Sequence, residues 1–202
     1  LLHEKPFAGV NGSGKHNNWS LGTDNGVNLF KPGKEPNKNL QFLCVLACLM
    51  EAVNKHALLL RAAASNTGND HRLGANEAPP AIISIYMGDQ LGEIVDAIVA
   101  GVPFDQLPCA EVGTLDLGVS TLPVLPKDPT DRNRTSPFAF TGNRFEFRMV
   151  ASSVSIGDAN TVMNSMIAES FNKACDALEG AEDFEKAAID YIYKTMKENK
   201  DI

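Results

Sequence analysis

Between Leu40 and Ala64 the apolar residues Phe42, Leu46, Leu49, Val53, Ala57 and Leu60 recur at helical spacing, and Ser65-Asn66-Thr67-Gly68 follows as a stop signal. The first part of this helix is apolar nearly all round, so it has no face to offer water and must be wrapped by other elements. A chain of 202 residues can supply that wrapping as one domain or a domain and a half. The most apolar stretch, Phe42 to Met50, stops at Glu51, short of a membrane span, and no signal peptide is visible. The sequence therefore predicts a soluble, cytoplasmic protein that does not enter a membrane.

The wrapping elements can be read in outline. Residues 25–39 read as a strand end and a turn, Ala81 to Tyr86 as a strand, and Asp89 to Ala100, followed by Gly101, as a capped helix. Five prolines between Pro103 and Pro129 break the chain into extended pieces, with a short strand expected at Thr114 to Val119. Arg144, Glu146 and Arg148 alternate with Phe145, Phe147 and Met149, the period of a strand with one polar and one apolar face. That pattern sets two guanidinia around one carboxylate. Met163, Ile167, Phe171, Ala174 and Leu178 form the stripe of a helix begun near Asp158 or Asn160. Phe184, Ala188, Tyr191, Ile192 and Met196 form that of another, both serving core or subunit interface.

A net charge of -7 and a pI near 5.1 argue against nucleic acid and anionic membrane surfaces as partners. Local charge differs, because Arg132, Arg134, Arg144 and Arg148 crowd into seventeen residues. Such a cluster is either a planar, bidentate anion site or an exposed salt-bridged strand. Cys44 and Cys48 lie one helical turn apart while Cys109 and Cys175 are isolated, a spacing that fits buried reduced thiols and neither a metal site nor a disulfide framework. The sequons at Asn11, Asn18 and Asn133 have no secretory context and read as accidental.

The densest chemistry lies in residues 5–20. Gly9, Gly12 and Gly14 let the backbone bend through positive φ and approach a ligand closely, so that successive N–H groups can point at negative charge. The run Gly9 to His16 is a near miss to the P-loop, which needs Ser or Thr after its lysine to hold magnesium. His16 takes that place, and residues 1–6 are too short and polar to be the preceding strand. The loop is suited to an anion and a metal.

Lys5-Pro6, followed by Asn11-Gly12-Ser13-Gly14, His16 and Ser20, resembles the ATP-binding signature of glutamine synthetases at every fixed position. Two further landmarks follow in that family's order. Arg72-Leu73-Gly74-Ala75-Asn76-Glu77-Ala78-Pro79 resembles the flap over the active site, and Arg132-Asn133-Arg134-Thr135-Ser136 with Arg144-Phe145-Glu146-Phe147-Arg148 resembles its Arg-Asn-Arg-Ser element and Arg-x-Glu-x-Arg strand. The type III branch, a long bacterial form, fits best.

The resemblance implies an α+β fold, part of a catalytic domain whose antiparallel active-site sheet is packed with helices. Its parts would be a nucleotide and metal loop (1–39), a core helix (40–64), a flap, strand and helix (65–101), an insertion and Arg-rich strand (102–150) and a helical C-terminal part (151–202). It implies ATP-dependent joining of glutamate and ammonium through a γ-glutamyl phosphate, with Mg²⁺ or Mn²⁺. His16 and Glu146 match metal ligands, and Glu77 and Arg134 match catalytic residues. Asn11, Gly12, Arg72 and Arg148 match substrate contacts, while Asn18, Ser20 and Arg144 match ATP contacts. A phosphate-binding arginine of the short bacterial form falls on Ala139, so that contact is missing or supplied differently.

The chain opens at Leu1 almost inside a binding motif, which reads as a piece of a longer polypeptide lacking upstream metal ligands and so inactive alone. The parent is expected to be a homo-oligomer, a dodecamer of two stacked hexamers. The alternatives are a related ligase joining glutamate to another amine, a non-catalytic glutamine-synthetase-like protein, and a plain nucleotide-binding module.

Overall fold

The computed structural model describes residues 14–64, 82–109, 114–115, 125–126, 136–151 and 154–202. In chain order the described elements are β1 (Gly14–Trp19), α1 (Leu40–Ala64), β2 (Ile85–Tyr86), α2 (Gly88–Ala100), β3 (Thr114–Leu115), β4 (Leu125–Pro126), β5 (Phe138–Phe140), β6 (Phe145–Ala151), α3 (Gly157–Leu178) and α4 (Phe184–Glu198). Strands and helices are segregated as an α+β arrangement, with a four-stranded sheet in the order β1-β6-β5-β2.

The sheet is mixed, where the resemblance implies an antiparallel one. β1 with β6 and β6 with β5 are antiparallel, but β2 lies parallel to β5. The cause is connection length: β5 and β6 are joined by a tight turn, whereas the long segment between β2 and β5 contains α2 and permits a parallel return. In that turn Gly142 takes φ 93°, and the amide of Thr141 donates to the carbonyl of Arg144 at 2.9 Å. β3 and β4 form a separate antiparallel pair, and β3 covers the start of the short strand expected from Thr114.

One face of the sheet is aromatic. Phe138 stacks on Phe145 with centroids 5.0 Å apart, Phe147 meets Phe138 edge-on at 6.1 Å, and Phe30 and Trp19 continue the cluster at 5.1 and 5.5 Å. Offset and edge-on pairs like these add roughly 0.5–1.5 kcal/mol each beyond their burial. Against this face lies α1, whose residues 42–53 are buried except for Cys44 and Glu51, packed between the sheet, α3 and α4. α1 is long and apolar enough to cross a membrane by length and composition, with a mean hydropathy of 1.6 over its most apolar part. By sequence that run stops at Glu51. In the fold, over half of that part is buried by protein, and Glu51 takes an ion pair from Lys173 of α3 at 2.5 Å.

The helix ends follow their local chemistry. α2 closes on Gly101 at φ 81°, where the glycine N–H reaches the carbonyls of Ala97 and Ile98. Asp183 caps α4 by accepting from the amide of Lys186 at 3.0 Å. Phe184, in the stripe expected to serve core or subunit interface, is 61% exposed in the first turn of α4, where it lines a concavity with Cys44 and Cys48 of α1; the buried positions begin at Ala188.

Candidate active site

β1 and β6 build the site. In their ladder Asn18 faces Glu146, Asn17 faces Phe147 and Trp19 faces Phe145. Directly paired residues share a face of the sheet. Trp19 and Asn17 therefore lie on the aromatic, helix-packed face with Phe145 and Phe147, and Asn18 lies with Glu146 on the other.

The ladder is then interrupted. Lys15 pairs with Val150 while Asn17 pairs with Phe147, so one residue of β1, His16, spans two of β6, Arg148 and Met149. Such a bulge bends a strand and re-aims a side chain. Here it brings Nδ1 of His16 to 2.6 Å from Oε1 of Glu146. The other carboxylate oxygen, Oε2, accepts from Nε and Nη2 of Arg148 at 3.0 and 2.9 Å. Arg148 also donates from Nη1 to the carbonyl of Ser136 at 3.4 Å.

Imidazole, carboxylate and guanidinium thus stand in line, and burial rises along it. His16 is 29% exposed at its side chain, Glu146 12% and Arg148 2%. The accessible end is the histidine. The buried guanidinium fixes the carboxylate from behind, and removing either member of such a buried pair leaves an uncompensated charge.

Of the two strand arginines expected around Glu146, Arg148 is there and Arg144 is not. Arg144 precedes the strand and its carbonyl closes the β5–β6 turn, so its side chain is exposed in the turn. Asn18 and Ser20 are also exposed, Asn18 with its amide nitrogen 3.4 Å from the carbonyl of His16. Extending the ladder one step past Trp19 and Phe145 sets Ser20 level with Arg144. Asn11, Gly12, Arg72, Glu77 and Arg134 lie outside the described residues.

The donor set suits a divalent cation in part. Two cis ligands at roughly 2.0–2.1 Å from Mg²⁺ stand about 3 Å apart, so His16 and Glu146 would need to part by only a few tenths of an ångström to share one. Among the described residues no third His, Cys, Asp or Glu joins them. The remaining positions would fall to water, phosphate oxygens or other residues, as is usual for Mg²⁺.

Sequence reasoning missed what holds β1 in place. The amide of Asn17 donates to Oδ1 of Asn160 at 2.8 Å, the indole N–H of Trp19 donates to Oδ1 of Asn164 at 3.0 Å, and Nζ of Lys15 donates to the carbonyl of Val154. The available signal was two asparagines one turn apart at the start of a helix.

A second concavity, of about 660 Å³, opens between α1 and α3 and is lined by Cys44, Cys48, Phe171 and Cys175 among others. Cys48 is buried and Cys44 half-buried, but Cys109 and Cys175 are exposed, because neither sits on a packed face. A hydrogen bond from Cys48 holds the Cys44 thiol below the usual range; the same bond, with burial, pushes Cys48 up. None of the four is in a disulfide.

No family model matches the chain. Individual relatives do. The chain is 57% identical over 170 residues, 84% of its length, to a type-3 glutamine synthetase of Dictyostelium discoideum. It is 49% identical over 199 residues, 98% of its length, to a glutamine synthetase of Bacteroides fragilis, and 54% identical over 157 residues, 78% of its length, to one of Butyrivibrio fibrisolvens. A mixed sheet carrying an imidazole, a carboxylate and a guanidinium, in a chain this similar to three ligases, belongs to the glutamine synthetase family. The branch is the type-3 one, the name carried by the Dictyostelium relative. The chain spans only 22–27% of the length of these relatives.

Proposed function

We propose that the chain supplies the C-terminal part of the catalytic domain of a glutamate–ammonia ligase, which makes glutamine from glutamate, ammonium and ATP. The observation that carries this reading is the convergence of two distant motifs, the loop at His16 and the strand at Glu146 and Arg148, within 2.6 and 2.9 Å on one sheet face. The names of the three relatives support it.

In this reading His16 and Glu146 bind Mg²⁺ or Mn²⁺, which when bound offsets the charge of the nucleotide phosphates. Arg148 orients Glu146 from its buried end. Asn11, Gly12 and Arg72 contact the amino acid, Asn18, Ser20 and Arg144 contact ATP, Arg134 steadies the transferring phosphoryl group, and Glu77 takes a proton from ammonium. A carboxylate suits that last task because it attracts the cation whose proton it accepts. The protein works in the cytoplasm as a homo-oligomer, a dodecamer in the full-length form, and this chain does not act alone.

The test is glutamine formation by the full-length protein carrying His16→Ala or Glu146→Ala. Loss of an outer partner of a ligand typically costs about 10–100-fold, so removal of a ligand itself is expected to cost at least about 100-fold in activity, with Mn²⁺ affinity falling in parallel. Activity within about tenfold of the parent protein in both variants would sink the reading.

A further inference from the structure

The strand that carries His16 is held from behind by one helix. Lys15, Asn17 and Trp19 occupy alternate positions of β1, and each reaches the start of α3 or the residues before it, through Val154, Asn160 and Asn164 respectively. Asn160 and Asn164 are one turn apart, so their two amide oxygens meet side chains two residues apart on the strand. Asn17 is only 7% exposed, and its amide nitrogen is directed at Asn160 while its neighbour His16 points to the opposite face.

The bulge makes this anchoring consequential. Around His16 the regular ladder is broken, since one residue of β1 opposes two of β6. Where ladder pairing lapses, the direction of a side chain depends on what fixes its neighbours. Asn17 immediately follows His16, and Lys15 immediately precedes it.

We infer that Asn160 and Asn164 are positioning residues for the His16–Glu146 pair, acting through Asn17 and Trp19. They touch neither reactant nor cation. They hold β1 by the face opposite the site, so that Nδ1 of His16 meets Glu146 without rearrangement when the site is loaded. The inference rests on the ligase reading above. Outer partners of this kind typically change metal affinity by about 10–100-fold.

The experiment is Mn²⁺ titration of the full-length protein, followed by electron paramagnetic resonance, with thermal melting measured alongside. In Asn160→Leu the acceptor for Asn17 is lost, and Mn²⁺ affinity should fall about tenfold. Asn160→Asp keeps an acceptor and should restore affinity to within about twofold of the parent. A structural role alone would move melting in Asn160→Leu and leave affinity unchanged.

Unchanged affinity in folded Asn160→Leu, or equal losses in the Leu and Asp variants, would overturn the inference. If Asn160→Leu does not fold, Asn164→Leu at the exposed end of the clasp decides: a fall in affinity of several-fold supports positioning, and none overturns it. A parent protein that binds no Mn²⁺ would fail differently, overturning the ligase reading and this inference with it.

Discussion

Among the described residues two histidine–glutamate pairs form, and they differ in kind. His16 meets Glu146 at 2.6 Å on the sheet, and His56 meets Glu169 at 2.8 Å between α1 and α3. The atoms and distances are nearly the same. The surroundings are not. Glu146 is 12% exposed at its side chain and backed by a guanidinium only 2% exposed, whereas Glu169 is 42% exposed and shared with the ammonium of Lys55. A pair backed by buried charge stays fixed when water and salt change; a pair on a helical surface exchanges partners with solvent. Pair geometry alone therefore does not distinguish the two, and the burial of the cation behind the carboxylate does.

The comparison breaks most sharply at Arg148. Arg148→Ala should destabilise the fold by about 3–5 kcal/mol, because it leaves Glu146, 12% exposed at its side chain, without its buried guanidinium partner. Urea unfolding followed by tryptophan fluorescence would read it through Trp19, and a loss below about 1 kcal/mol would put this pair in the same class as the surface one.

A smaller effect is expected from His56→Ala. The ring is part-buried, but its partner is exposed, so the loss should stay under about 1 kcal/mol. Some of that loss would come from the backbone, since α1 kinks at His56, where φ and ψ are -111° and 18°. A loss as large as that of Arg148→Ala would mean that the kink is a rigid support.

The smallest effects are those of salt and pH. Hydrogen bonds from Lys55 and His56 hold the Glu169 carboxyl below its ordinary value. A depressed carboxyl contributes stability that is present above its unfolded pKa and is lost as pH falls through its folded one. Titration from neutral pH downward should therefore leave the contribution of Glu169 intact until the acid range below the ordinary value of 4.5. Glu169→Gln should remove that dependence, and salt near 1 M should remove most of what the exposed pair contributes at neutral pH, where screening acts within about 3 Å. Melting of the variant and the parent in parallel over that range checks both; a neutral-pH difference that survives about 1 M salt would contradict the assignment.

Much of the helical frame was legible because it follows from local pattern. α1 has the bounds that the spacing of Phe42 to Leu60 and the stop after Ala64 predict, and Gly101 ends α2 as a left-handed cap. Phe145 and Phe147 face the aromatic core and Glu146 and Arg148 do not, as the alternation requires. The readings that failed depended on where elements stop and meet. Arg144 keeps the strand's alternation but belongs to a turn, because the hydrogen bond that closes β5 and β6 falls on its carbonyl. Phe184 keeps the stripe of α4 but is 61% exposed, so of the two roles expected for that stripe, core or subunit interface, the core is excluded for it. The kink at His56 has neither proline nor glycine to announce it.

Residue type and spacing were enough to settle which chemistry is present: a glycine-rich loop with His16, a strand with Glu146 and Arg148, and the family to which their order belongs. Spacing survives without coordinates. The folded arrangement alone settled that one residue of β1 would face two of β6, that Glu146 would divide its oxygens between an imidazole and a buried guanidinium, and that asparagines of α3 would hold the strand from behind. Each of those depends on register between segments more than a hundred residues apart, and register is set by the packing of the whole sheet against its helices rather than by any local preference.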